Sequence, residues 1–178
     1  MPLPPMISFF HKPLMISLEV PDGWARARHP GMTLELIGPE VNDYRTNITF
    51  DTHSMNSTAP DSFDQLIQAS YFSGNMEGEL DQFSMVESGQ FFLDGYRAFQ
   101  ARMHWLGHND SGDSLPLTQL DVVVLVDEGT VYEIHAYALQ ELEETEIPVL
   151  EYILGSIRLI PPKVQPESEP YHFEINPN

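Results

Sequence analysis

The chain of 178 residues contains no cysteine. That excludes a disulfide framework, a thiolate zinc site and a cysteine nucleophile. Basic residues are scarce: 8 Lys and Arg stand against 27 Asp and Glu, for a formal charge of −19. Such a surface repels nucleic acid and anionic lipid over a Debye length of about 8 Å, so neither is an expected partner. No apolar run approaches the roughly 20 residues needed to span a bilayer. The opening MPLPPMISFFHKPLM has three prolines in its first five residues and no basic leader, so it does not read as a signal peptide. A lipoprotein anchor would require the missing cysteine. The cytoplasm is therefore the expected compartment, and the Asn-X-Ser/Thr triplets at Asn47, Asn56 and Asn109 read as chance matches. No G-x-S-x-G, H-E-x-x-H or phosphate-cradling Gly-Lys loop occurs, so catalysis is not expected and no cofactor is implied.

What is present suits one domain, since domains run on the order of 100–200 residues. A chain of this size buries roughly 70% of its unfolded surface and needs no covalent staples. Apolar alternation of period two places Ile16, Leu18 and Val20 on one face of a strand over 15–20. The same pattern recurs over 32–37 (Met32, Leu34, Leu36) and 47–53 (Ile48, Phe50), so three short strands predict an antiparallel meander. The turn Pro21-Asp22-Gly23 closes the first strand, because proline presets φ and glycine tolerates the positive φ that turns require. Trp24 follows at once. About 200 Å² of apolar ring at that place reads as a lid over the open edge of the core.

After His53 the period lengthens. Phe63, Leu66, Ile67 and Tyr71 fall on one stripe and predict a helix over roughly 60–72, with a capping-box pair at Thr58 and Asp61. Residues 73–81 read as a loop. Long strands follow: 95–108 alternates Phe99, Ala101, Met103 and Trp105 against Gln100, Arg102 and His104. Residues 117–127 are apolar on both faces, as a central covered strand should be, and Glu128-Gly129 joins them to a strand over 130–139. A second helix over roughly 146–154 carries Ile147, Leu150, Ile153 and Leu154 and stops at Gly155, before a short final strand. The last eighteen residues hold five prolines and read as a flexible tail. The expected organisation is an extension at 1–13, a folded domain at 14–160 and a tail at 161–178. The expected class is α+β, an antiparallel sheet of about six to seven strands with two main helices.

Several segments in this order carry a family likeness: SLEVPDGW at the start, NITF, LDGYRAF, then VVVLVDEGTVYEIHAYAL and YILGSIRLI. Together they resemble the PsbP-like superfamily, and within it the bacterial DcrB-like domains of unknown function. The resemblance covers about positions 14–160. It implies an α/β/α sandwich on a twisted antiparallel sheet, and a non-enzymatic role. Members of the superfamily include extrinsic photosystem subunits, a nuclear factor binding a Ran-type GTPase, mycobacterial lipoproteins and Eag-type chaperones of secreted effectors. The sequence departs from the exported members in having no leader, so a photosystem or lipoprotein role is not expected. No binding motif of the family is matched residue by residue, so none is carried over.

Three chemical candidates remain. His104 and His108 would share a metal on a helix, but on a strand their alpha carbons lie roughly 13 Å apart. His135 and Glu133 share a face with Tyr137, as His53 does with Asp51. These outward His and carboxylate positions read as a partner-facing polar row, with small-ligand or divalent-metal binding as the alternative. HNDSGD at 108–113 lacks the order of a calcium loop and reads as a polar hairpin loop. The main expectation is a protein-binding domain, an adaptor or chaperone for a secreted effector, that dimerises through a sheet face. Its expected contact residues are Met103, Val123, Leu125, Val131 and Tyr137, adaptable or apolar side chains that need a partner if no helix covers them.

Overall fold

The structure, a computed structural model, describes residues 3–27, 34–55, 61–109, 111–127 and 129–159. Met32, Thr58, Pro60 and the 161–178 tail lie outside the described residues.

Among the described residues, ten strands form two antiparallel sheets. The larger takes β3 (Ala25–Ala27), β4 (Leu34–Val41), β5 (Tyr44–Ser54), β6 (Ser84–Leu93), β7 (Tyr96–His108), β8 (Ser114–Leu125) and β9 (Thr130–Leu139). Its strand order is β3-β4-β5-β9-β8-β7-β6. The smaller sheet sets β2 (Ile16–Pro21) between β1 (Met6–His11) and β10 (Arg158–Leu159). The helices are α1 (Ser62–Tyr71), the short α2 (Asn75–Glu79) and α3 (Glu143–Ser156), the last entered through a 3-10 turn at Gln140–Leu142. This is the expected α+β class, with a central sheet of seven strands.

The period-two pattern explains the layers. Even positions of β8 and β9, Leu120, Val122, Val124, Ile134, Ala136 and Ala138, face one side. They pack with Ile16, Leu18 and Val20 of β2 and with Ile147, Leu150 and Ile153 of α3. Odd positions point the other way, where Phe99, Ala101, Met103, Val123 and Val131 meet Phe63, Ile67 and Tyr71 of α1. β8 is therefore buried on both faces because a helix lies on each.

Four local expectations are corrected. The meander does not include β2, which pairs with β1 and β10 while β3, β4 and β5 pair among themselves. The segment set apart as an extension supplies β1, whose register runs from Met6↔Pro21 to His11↔Ile16. Residues 73–81 are not all loop, because α2 occupies five of them. The second helix begins at Glu143 rather than 146, so Pro148 lies inside it and its first turn carries Glu143, Glu144 and Glu146. Acidic side chains there complement the positive end of the helix dipole.

Trp24 is half-buried against the main core cluster, as a lid should be. Its indole lies on Gly38 of β4, where an added Cβ would stand 3.2 Å from Cε2. The ring reaches the core only because β4 has no side chain at that point. The turn before it uses Gly23 at φ 94°.

Candidate functional site

The α1 side of the large sheet is divided in two. Counting cross-strand partners gives rows: Asn47, Tyr137, Gln119 and Met103; then Thr49, His135, Asp121 and Ala101; then Asp51, Glu133, Val123 and Phe99. Each row is polar on β5 and β9 and turns apolar towards β7. The helix α1 packs on the apolar half, so the polar half is the part of this face that its apolar stripe does not claim.

Asp121 is the hub. It is 2% exposed, and three donors converge on its carboxylate. His135 Nδ1 lies 2.7 Å from Oδ1, Gln119 Nε2 donates to the same oxygen at 2.8 Å, and the Tyr71 hydroxyl donates to Oδ2 at 3.1 Å. A buried carboxylate is tolerable on such terms, because its lone pairs are satisfied by donors held on its own strand, on β9 and on α1. Burial opposes a charged imidazole at His135. The bond and charge of Asp121, with Glu133 and Asp51 behind it, outweigh that and raise its pKa above the ordinary histidine value.

The network continues along the face. His135 Nε2 lies 3.9 Å from Glu133 Oε2, and His53 Nε2 approaches the same oxygen at 3.1 Å. His53 is also 4.0 Å from Asp51. Three phenols border the row. Burial pushes Tyr44 up to about 12, against a lowering bond from Asn47. Burial likewise raises Tyr137 and Tyr71, with the charge of Asp121 adding to it in both. All three hydroxyls are thus protonated donors at neutral pH. The face presents carboxylates and imidazoles that bond one another in a chain. Among the described residues, no group of three or more His, Asp and Glu is placed to hold a metal ion.

The residues expected at an interface divide likewise. Met103, Val123 and Val131 are 0%, 2% and 1% exposed, sealed beneath Phe63, Ile67 and Tyr71. Leu125 is half-buried against the same cluster. Their apolar character is consumed inside the fold, because α1 covers the face that they share. Tyr137 alone of the five stands in the polar half. His104 and His108 are held apart on β7, whose register with β8 runs unbroken through Gly107, and His104 Nε2 pairs with Glu143 at 3.1 Å. Between β7 and β8 the Asn109 side chain accepts from the amides of Ser111 and Asp113.

Sequence reading missed Asp121. The signal was available: counting outward from the turn pairs Leu125 with Val131, and the same register brings Asp121 beside His135.

On the opposite side, a cleft of about 240 Å³ opens between α3 and the β6–β7 edge, with Leu93, Leu120, Val122 and Leu154 in its walls. Arg102 in this cleft is met by Glu87 at 3.1 Å and, more loosely, by Glu151 at 4.0 Å. No described helix is long and apolar enough to cross a membrane.

No protein-family model matches the chain, and no curated protein matches it. Solved structures do. The cyanobacterial PsbP (CyanoP) of Synechocystis sp. PCC 6803 superimposes with a TM-score of 0.60 at 11% identity, over 89% of this chain and 95% of that one. LpqN of Mycobacterium tuberculosis, described as involved in cell envelope biogenesis, gives 0.60 at 17% identity over 88% and 91%. The Ran-binding protein Mog1p of Saccharomyces cerevisiae gives 0.54 at 9% identity over 88% and 96%. At these identities the likeness is one of architecture, and on it the chain has the fold shared by PsbP, LpqN and Mog1.

Proposed function

We propose that this protein is a non-enzymatic protein-binding module that docks its partner on the polar half of the large sheet, beside α1. The observation that supports this most is the division of that face. α1 consumes the apolar half, while Asn47, Thr49, Asp51, Glu133, His135 and Tyr137 form a half-buried polar patch on β5 and β9. Its ionisable groups bond one another, and a self-satisfied network of this kind suits recognition better than proton transfer. The similarity in fold to Mog1p, a Ran-binding protein, supports the same class of role. In its finer form, drawn from the DcrB-like resemblance, the partner is a secreted effector that this protein accompanies as an adaptor or chaperone in the cytoplasm, as a homodimer.

A photo-crosslinking amino acid placed at Tyr137 tests the docking face, with Tyr152 on the outer side of α3 as the control. Irradiation in native cells is expected to join Tyr137, and not Tyr152, to a second polypeptide that mass spectrometry identifies. An effector or a second copy of this chain would then be distinguished directly. No adduct from Tyr137, or equal adducts from both positions, overturns the reading.

A further inference from the structure

Where the polar half meets α1, the helix and the strand ends part to leave a groove of about 480 Å³. Met55 and Leu66 line it with apolar atoms above the buried Val131, and its polar lining includes His53, Glu133, Ser62 and Gln65. Glu133 carries the fixed negative charge of this lining. Among the described residues its ion-pair partners are two imidazoles, His53 at 3.1 Å and His135 at 3.9 Å, and no Lys or Arg among them lines the groove. Asp51 is the cross-strand partner of Glu133 and adds a second carboxylate to the same row. Ser62 supplies an independent sign. It is 7% exposed, lines the groove, and its hydroxyl has no hydrogen-bond partner among the described residues. A buried hydroxyl left unsatisfied costs free energy that a ligand's donor or acceptor would restore.

We infer that this groove receives a Lys or Arg side chain from a basic segment of the protein partner. The inference rests on the docking face proposed above and names its partner's chemistry. A long basic side chain has an apolar stem and a cationic head. The stem lies along the half-buried Met55 and Leu66, and the head meets Glu133 as the half-exposed His53 turns outward. The net charge of −19 draws a basic segment towards the surface, and the groove gives one of its side chains a fixed seat. An acidic segment is rejected by the same carboxylates.

Calorimetry of the full chain with a capped peptide of about ten residues, alternating Lys with small neutral residues, tests this, beside the same peptide with Glu in place of Lys. The Lys peptide is expected to bind and the Glu peptide not to bind. Glu133→Gln should weaken binding about tenfold, the effect of roughly 1.4 kcal/mol. Glu79→Gln, which removes the same charge from exposed α2, should leave it unchanged. Gln65→Lys puts a cation at the groove from an exposed position that does not endanger folding, and should abolish binding. No binding of the Lys peptide overturns the inference. So do equal losses from Glu133→Gln and Glu79→Gln, which would mean diffuse attraction only, or a Gln65→Lys protein that binds as well as wild type. Adducts at Tyr137 alongside any of these failures would leave the docking face standing without the groove.

Discussion

Asp121 Oδ1 and His135 Nδ1 face each other at 2.7 Å across adjacent central strands, with the aspartate 2% exposed. Gln119 and Tyr71 complete the carboxylate's bonds. Asp121→Ala would leave two buried donors and the half-buried His135 without an acceptor, and breaking a buried charged network in this way costs roughly 3–5 kcal/mol. Asp121→Asn keeps the volume but offers one acceptor where there were two, and should cost about 1–3 kcal/mol. Urea unfolding followed by circular dichroism is expected to rank wild type above Asn above Ala. An alanine variant as stable as wild type would show that the network carries no stability.

The same pair makes stability depend on pH. His135 has a folded pKa above its unfolded one, after burial is outweighed by Asp121, Glu133 and Asp51. Protonation therefore favours the folded state. The contribution is fully present below the unfolded histidine value of about 6.5 and fades as pH rises through the raised folded value. His135→Gln keeps a donor but cannot titrate. The stability gap between wild type and this variant should be wider at about pH 5.5 than at about pH 8.5. A gap independent of pH, measured by urea unfolding at both, would remove the imidazolium from the account.

How much of this was legible depended on the range of the physics involved. Alternation in β2, β4, β5, β7, β8 and β9 and the stripe on α1 are local signals, and each led to an element of the right type. β6 gave no such signal. Ser84, Glu87, Ser88 and Gln90 are exposed along an edge strand, where one side has no neighbour to demand apolar residues. The five residues of α2 are too few to show a helical period. β2 was readable as a strand, but its partners β1 and β10 are set by pairing across the whole chain. Met103, Val123 and Val131 lie inside the fold for a related reason. Val123 and Met103 looked surplus only while the helix over 62–71 had no assigned face, and its position on the odd side of β8 is a matter of tertiary packing. The hub at Asp121 is one polar residue at the head of the VVVLV run, visible only once the hairpin register is counted.

The lid formed by Trp24 can be tested through the residue under it. In Gly38→Ala the new methyl would lie 3.2 Å from the indole Cε2 and 3.3 Å from the Thr46 carbonyl oxygen. The backbone oxygen cannot yield, so the ring must. Such overpacking costs typically about 1–3 kcal/mol. With Trp105 replaced by Phe in both proteins as a common background, Gly38→Ala should shift Trp24 emission to the red and lower the unfolding midpoint. An unchanged emission maximum would mean that the indole is not seated on β4.

Phe63 decides whether the apolar half of the sheet stays covered. Its ring is 1% exposed among Phe99, Met103 and Val123, and Arg97 lies over it at 5.2 Å from the ring centre. The same arginine reaches Asp64 on α1 at 2.6 Å, so the helix is fastened by one buried ring and one surface pair. An exposed pair contributes at most about 1 kcal/mol, whereas Phe→Ala in a core costs about 3–5 kcal/mol. Phe63→Ala should therefore loosen α1 far more than Arg97→Gln does. Amide exchange over residues 62–71 is expected to accelerate in the first variant and to stay near wild type in the second. Loosening would also bare Met103, Val123 and Val131, so the Phe63 variant should bind an apolar fluorescent dye and self-associate at concentrations where wild type does not. Equal exchange in the two variants would place the anchoring of α1 in its charges rather than its buried ring.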